Sequence, residues 1–315
     1  MKSTRSLSWI ERALGAEPLS VPPHVFYLGP DALLYAQVDT AEGVSVGPSR
    51  VAELEPETFL PGQLGGPLKE PEAFTGLLRG LVSEIGEIDS ASLVLPDAWY
   101  RLVFAEVDQL PSAAAARDEA LRWKLKRLVP FRVEDLRLDA VNAVPLAGQE
   151  DPGRVMIGFA AQALLEQCEA AFAAAGIRLG AITNVTLSVA HLIEPVAANE
   201  IGLLLVAQDD GYSLLASLGE APVLYRYKPL DAGAGAGRAQ REMLLTSRFL
   251  EERLAHYELS RVVVVGSDRW SSVVGESLGI EPQVLEAEDW RDLLSSQADS
   301  VLRAALVGAA HVEVA

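Results

Sequence analysis

The sequence predicts an α/β protein built from two copies of one domain. Its residue patterns indicate three short strands, a helix and a buried strand near residue 25, and the same order of elements returns near residue 201. Turn-forming residues separate the short strands in both halves, which is typical of antiparallel meanders. One order of elements that occurs twice indicates a duplicated domain.

The first copy begins with apolar and aromatic runs that are too short to be helices. A loop rich in Pro and Gly separates these runs from a helical stretch. The last run has no polar alternation, as expected for a strand that is buried on both faces. The predicted elements are strands over residues 24–29, 32–40 and 44–51, a helix over 71–86 and a strand over 91–96.

The second copy repeats this order, and additional elements extend the first copy. The second is predicted to contain strands over 201–208, 212–218 and 223–230, a helix over 238–257 and a strand over 261–266. Between the copies the pattern predicts a strand over 154–161, a helix over 163–176 that Gly176 ends, a strand over 177–183 and a helix over about 184–198.

Composition excludes several classes of protein. The 315-residue chain has a formal net charge of -18, and nucleic-acid binding needs surplus Lys and Arg. No run of about 20 apolar residues predicts a membrane span, and residues 1–14 lack the pattern of a secretion signal, so we expect a cytoplasmic protein. The single cysteine, Cys168, is predicted to be a small core residue. Four dispersed histidines predict no metal site.

A dense cluster of positive charge lies in a predicted helix that follows Ser112, its expected N-cap, and ends before Pro130. On a helical wheel Leu121, Leu125 and Leu128 share one face, which should pack on a sheet. The opposite face combines a tryptophan with cations, a composition favoured in protein contacts. Its residues are Trp123, Arg122, Lys126 and Arg127. This face is either a partner-binding surface or a tryptophan packed on a strand beside solvated cations.

Short motifs on both sides of this helix follow one another in a fixed order. They are Leu110-Pro111, Val129-Pro130-Phe131, Glu134-Asp135 and Leu138-Asp139. This arrangement resembles the family of the type IV pilus assembly protein PilM, a cytoplasmic family of the actin-like superfamily that is related to the cell-division protein FtsA. Ala140 departs from the family, which favours an aromatic residue there. The resemblance covers most of residues 24–310.

The resemblance implies an actin-like, duplicated two-domain α/β fold with an inserted subdomain in the first domain. Residues 1–23 are then an N-terminal tail, which we expect to be flexible, with a short amphipathic helix as the alternative. The first domain spans 24–198 and contains the inserted subdomain at about 97–153. The second spans 199–315, and its C-terminal helix at about 299–311 is expected to pack back on the first.

Actin-like enzymes hold ATP and Mg with two Asp-x-Gly hairpins, whose backbone N–H groups contact the phosphates. In this sequence Tyr27 replaces the first Asp, and Pro30 removes one N–H group. The second turn, Asp209-Asp210-Gly211, is typical of an ordinary hairpin. The degenerate positions are Tyr27, Gly29, Gln208, Gly266 and Ser267. We therefore expect no catalysis, no cofactor and no metal, with an active ATPase or kinase that binds ATP and Mg as the alternative.

The resemblance implies a non-enzymatic scaffold of type IV pilus assembly. Its expected partners are the N-terminal peptide of a PilN-like membrane protein, held between the inserted subdomain and the first domain, and the pilus motor ATPase. Membrane association would be indirect, through these partners. The expected partner-binding residues are Trp123, Arg122, Lys126, Arg127 and Phe131. The alternative within the same class is the cytoplasmic domain of a GspL-like type II secretion protein.

Overall fold

The computed structural model describes residues 22–39, 44–107, 110–130, 132–146, 153–208, 211–230, 236–266, 268–285 and 300–310. The first half of the chain confirms the predicted meander, helix and buried strand. Its elements are β1 (His24–Leu28), β2 (Ala32–Asp39), β3 (Ser45–Glu53), α1 (Pro71–Ile85) and β4 (Ser90–Leu95). Strand β2 lies antiparallel between β1 and β3, and β4 pairs in parallel with β1.

A separate three-stranded antiparallel sheet follows β4, and we call it the insertion sheet. Its elements are β5 (Arg101–Val107), the helix α2 (Ala114–Leu125), β6 (Leu136–Ala143) and β7 (Gly153–Ala161). Strand β7 is central and pairs with both β5 and β6. The insertion sheet therefore extends past residue 153, where the sequence placed the end of the inserted subdomain.

Helix α2 differs from its predicted form at both ends. It begins after Ala113, which has no side-chain oxygen to accept a capping hydrogen bond, so the prediction that Ser112 is the N-cap is wrong. The helix ends at Leu125, and residues 126–128 form a turn. Leu128 lies beyond the regular helix, where the helical wheel no longer applies, and it is 50% exposed. Leu121 and Leu125 are buried, as predicted.

The chain then completes the first five-stranded sheet. Its elements are α3 (Gln162–Ala174), β8 (Arg178–Asn184) and α4 (Val185–Ala190). Gly176 ends α3 with a positive φ of 85°, and the N–H of Ile177 donates to the carbonyl of Phe172, as the sequence predicts. Cys168 is buried in the core, also as predicted. Helix α4 is shorter than expected: it ends at Ala190, residues 191–193 form turns with hydrogen bonds from residue i+3 to residue i, and Pro195 disfavours a continuation towards residue 198.

The second half repeats the topology of the first. Its elements are β9 (Glu200–Gln208), β10 (Gly211–Leu218), β11 (Ala221–Pro229), α5 (Ala236–Arg253), β12 (Glu258–Val265), α6 (Asp268–Leu278), β13 (Gln283–Val284) and α7 (Ser300–Ala310). The strand orders are β3-β2-β1-β4-β8 and β11-β10-β9-β12-β13, so equivalent strands occupy equivalent places. The predicted duplication is confirmed.

One apolar core joins the two sheets, and we call it the shared core. It takes side chains from β1, β2 and β4, from β9 and β12, and from the helices α4 and α7. Helix α7 lies against α4 and against the strands β1, β2 and β4 of the first sheet. At the crossing of the two helices, a Cβ atom at Gly308 would lie 2.0 Å from the carbonyl oxygen of Ser188. The helices can approach this closely because residue 308 has no side chain.

We expect Gly308→Ala to destabilise the protein, because the added methyl group forces α7 away from α4 within the shared core. Overpacking of this kind costs about 1–3 kcal/mol. The matched control is Gly76→Ala on α1, where a Cβ would meet no atom within 4 Å and the helix would gain up to about 1 kcal/mol. Urea unfolding measures both changes. Equal unfolding free energies for the two variants would contradict this account of the helix crossing.

Candidate functional site

The first expected nucleotide position is occupied by an aromatic side chain that faces the shared core. Successive residues of β1 alternate between two apolar layers, as strand geometry requires. Phe26 and Leu28 pack towards α1 and α3, whereas Val25 and Tyr27 pack into the shared core. Tyr27 is only 7% exposed. Tyr27 stands where the resemblance places a metal-binding carboxylate, and its side chain is part of the core between the two halves.

The turn between β1 and β2 uses its own backbone donors. The N–H of Gly29 donates to the carbonyl of Ala32 over 2.9 Å, and Pro30 has no N–H group. The ring of Tyr27 lies against the turn. A Cβ atom at residue 29 would therefore be only 2.8 Å from Cε1 of that ring. Glycine at residue 29 thus leaves space for the tyrosine ring, and the N–H group of Gly29 is hydrogen-bonded within the turn.

Gly266 lies at the position where an actin-like enzyme would contact the adenosine of ATP, and strand packing explains the glycine there. Gly266 follows β12 with a φ of 137°, and a Cβ there would lie 2.9 Å from the Cβ of Ala207 on β9. The close approach of β9 and β12 and the positive φ both favour glycine at residue 266. Gln208 is the last residue of β9 and pairs with Gly211 across the second hairpin. Ser267 and residues 209–210 lie outside the described residues.

A buried carboxylate at the end of β4 connects the two halves. Asp97 is fully buried, and its carboxylate accepts hydrogen bonds from the backbone N–H (3.3 Å) and Oγ1 (2.8 Å) of Thr186 on α4. It also accepts one from the hydroxyl of Tyr225 on β11, over 3.1 Å. Burial raises the pKa of Asp97 to about 6, although the hydrogen bonds from Thr186 and Tyr225 act in the opposite direction.

Two arginines connect the insertion sheet to the same edge strand. Arg154 on β7 donates to the carbonyl of Val144 over 3.0 Å and to that of Val223 on β11 over 2.9 Å. The guanidinium of Arg101 on β5 lies 4.6 Å from the ring centroid of Tyr227, also on β11. Strand β11 is thus tied to residues from the first half at three positions along its length. These contacts cover an edge that would otherwise be open.

The tryptophan of α2 is exposed, so it does not pack against a neighbouring strand. Trp123 is 59% exposed and lies on the face opposite the buried Leu121 and Leu125, as predicted. The guanidinium of Arg127 and the ammonium of Lys124 lie 5.6 and 5.7 Å from its ring centroid. A flat aromatic surface between two cations is suited to contact with another protein. We call Trp123, Lys124 and Arg127, together with the half-exposed Leu128, the α2 face.

The other predicted partner-binding residues have different surroundings. Arg122 donates to the carboxylate of Asp118 and to the carbonyls of Val133 and Leu136, so it fastens α2 to the chain that leads into β6. Lys126 is exposed and forms a surface ion pair with Glu134 over 3.7 Å. Phe131 lies outside the described residues.

Sequence reasoning missed Asp97, Arg154 and Tyr225. The one available indication was an acidic residue directly after a strand with no polar alternation, at residues 91–96. Such a carboxylate is buried unless the chain turns outward, and a buried carboxylate needs donors. Those donors come from α4 and β11, which are distant in sequence, so no local pattern indicates the pairing.

The described residues contain neither a membrane-spanning helix nor a cluster of metal-ligating side chains. No helix among them is long and apolar enough to span a bilayer. Within the same residues no group of three or more His, Cys, Asp or Glu side chains is placed to hold a metal ion.

Two sheets of equivalent strand order, joined through helices that meet between them, define the actin-like class of fold. Solved structures agree with this class. The chain is similar to a chain of the PilM–PilN type IV pilus biogenesis complex, with a TM-score of 0.70 and 17% identity over 94% of this chain and 100% of that one. The resemblance to the PilM family that the sequence indicates is therefore confirmed at the level of the fold.

Two further solved structures are similar over most of this chain. One is a Bacteroides thetaiotaomicron protein with an actin-like ATPase fold and unknown function (TM-score 0.50, 9% identity, 86% of this chain and 91% of that chain). Another is the cytoplasmic domain of EpsL, an inner-membrane component of the type II secretion system of Vibrio cholerae (TM-score 0.49, 14% identity, 91% and 93%). No family model and no curated protein matches the chain.

We expect the stability of the protein to depend on the protonation of Asp97. Its pKa is raised from an ordinary value of 3.8 to about 6, so the folded chain binds this proton more tightly than the unfolded chain does. The associated stabilisation is complete below the unfolded pKa and is lost as the pH rises through about 6. Each unit of pKa difference is worth about 1.4 kcal/mol.

The comparison is with Asp97→Asn, which does not titrate. Urea unfolding of both proteins between about pH 5 and about pH 7 should show the wild type losing stability relative to the variant as the pH rises. Other titrating groups cancel in this difference. Parallel pH profiles would show that the carboxylate is not held in the buried network described above.

Proposed function

We propose that this chain is a non-enzymatic cytoplasmic scaffold of a type IV pilus machine. It binds the N-terminal peptide of a PilN-like membrane protein, contacts the pilus motor ATPase, and associates with the membrane through such partners. The observation that carries the proposal is that Tyr27, at the first expected nucleotide position, is buried in the core that the two halves share. A second support is the similarity over nearly the whole chain to a chain of the PilM–PilN complex.

Catalysis by an actin-like enzyme needs free backbone donors for phosphate and a carboxylate for the metal. The N–H of Gly29 is hydrogen-bonded within its turn, and Tyr27 replaces the carboxylate. Asp97 is the buried carboxylate between the halves, and its oxygens accept hydrogen bonds from Thr186 and Tyr225. These arrangements support a protein that acts through surfaces and not through a nucleotide cleft.

The α2 face has the chemistry expected of a peptide-binding surface. An extended or helical peptide is held by apolar anchors, and polar groups set its register. Trp123 and the half-exposed Leu128 offer apolar contact, and Arg127 offers a guanidinium for a carboxylate of the peptide. Buried Leu125 on the same helix packs with Leu64, which belongs to the loop between β3 and α1. The helix thus connects the insertion sheet to the first domain, between which the peptide is proposed to lie.

We expect the double variant Trp123→Ala/Arg127→Glu to bind a synthetic PilN-like N-terminal peptide at least about tenfold more weakly than the wild type, because exposed Trp and Arg are typical hot spots. Both side chains are on the surface, so the unfolding midpoint should not change. Fluorescence anisotropy of the labelled peptide measures the affinity.

The control is Lys69→Glu, which introduces the same charge change at an exposed residue of the first domain that pairs with Glu57. Peptide affinity should remain at the wild-type value in this control. An unchanged affinity in the double variant would remove the α2 face from the binding site.

A further inference from the structure

Helix α5 carries an exposed ridge of mixed arginine and leucine. Its residues are Arg241, Leu244, Leu245 and Arg248, and we call them the α5 ridge. Residues at these spacings are neighbours on one side of a helix. Leu244 and Leu245 are 48% and 49% exposed, although Met243 and Leu250 of the same helix are buried against the second sheet. The ridge therefore presents apolar surface that the fold itself does not use.

The duplication supplies an internal comparison for this ridge. Helix α1 occupies the equivalent place between the third and fourth strands of the first half. None of the leucines or valines of α1 is exposed, and its outer face carries small or charged residues such as Gly76, Gly80 and Glu84. Because the same position in the same topology does without exposed leucines, the α5 ridge is not a requirement of the architecture.

An arginine lies at each end of the ridge. Acidic residues outnumber basic ones by 44 to 26, so carboxylates are abundant. Some exposed cations pair with carboxylates, such as Lys69 and Arg137, whereas others, such as Arg253, form no ion pair with another described residue. Arg241 and Arg248 form no ion pair with any other described residue. Two arginines without carboxylate partners therefore flank two half-exposed leucines.

We propose that the α5 ridge binds an acidic amphipathic helix of a partner protein. Carboxylates on such a helix match the two arginines, and its apolar residues cover the two leucines, as in other complexes where one helix packs along another. An anionic bilayer is a weaker match. Each arginine contributes only about 1 kcal/mol near such a surface, whereas the net charge of -18 is repelled. A second copy of the chain is disfavoured by the same repulsion.

The probe is a synthetic helical peptide that carries Glu-Leu-Leu-Glu on one face at the spacing of the ridge. A shuffled peptide of the same composition is its matched control. The full-length chain should bind the first peptide and not the second, as measured by fluorescence anisotropy. Arg241→Glu/Arg248→Glu and, separately, Leu244→Gln/Leu245→Gln should each weaken binding at least about tenfold. Lys69→Glu should leave binding unchanged.

Four results would overturn the proposal. The first two are equal binding of both peptides and binding of neither. The third is ridge-dependent binding of phosphatidylserine vesicles in place of the peptide. The fourth is a dimer in sedimentation velocity that the ridge variants dissociate. None of these results depends on the proposed scaffold function. Capture of the PilN-like peptide should be unaffected by the ridge variants, so failure at one surface is distinguishable from failure at the other.

Discussion

Helices α4 and α7 cross between the two five-stranded sheets at a point where Gly308 leaves no space for a side chain. This crossing determines the distance between the sheets, and the shared core fills the space around it with side chains from both halves. Protein interiors are close-packed, so a shift of either helix would open voids or create overlaps throughout this layer. The other features that connect the halves, including the buried ring of Tyr27, are possible only at the spacing that the crossing imposes.

Polar contacts reinforce this arrangement in places where the apolar core ends. Asp97 and Arg154 are buried groups that each have one hydrogen-bond partner on β11, in the opposite half. Separating the halves would remove the β11 partner of each group, and losing a hydrogen bond to a charged group is costly. An actin-like enzyme works by opening and closing around nucleotide, whereas the proposed scaffold function needs the corresponding surfaces to stay in contact. In the proposed function the outer surfaces act, and the α2 face and the α5 ridge lie there.

Much of the architecture was readable from the sequence because it is encoded locally. Strand runs, turn residues and the cap at Gly176 act over a few positions, and their repetition predicted the duplication. The end of α2 was harder to predict, since strong helix formers continue to Leu128 whereas the regular helix ends at Leu125. Trp123 was identified from its position on a helical wheel. The hydrogen bonds of Arg122 and Asp97 were not predicted, because tertiary structure places their partners. These partners are Val133 and Leu136 for Arg122, and Tyr225 for Asp97.

The central claim is that the two halves form one closed unit that nucleotide does not open or close. The most direct measurement is the distance between spin labels at Ser83→Cys on α1 and Ser272→Cys on α6, two exposed positions on opposite halves. Cys168 is buried, and burial raises its pKa to about 12, so it should remain unlabelled. The account predicts one narrow distance distribution that ATP with Mg leaves unchanged. A second, longer distance in the free protein, or a shift on addition of ATP with Mg, would contradict it.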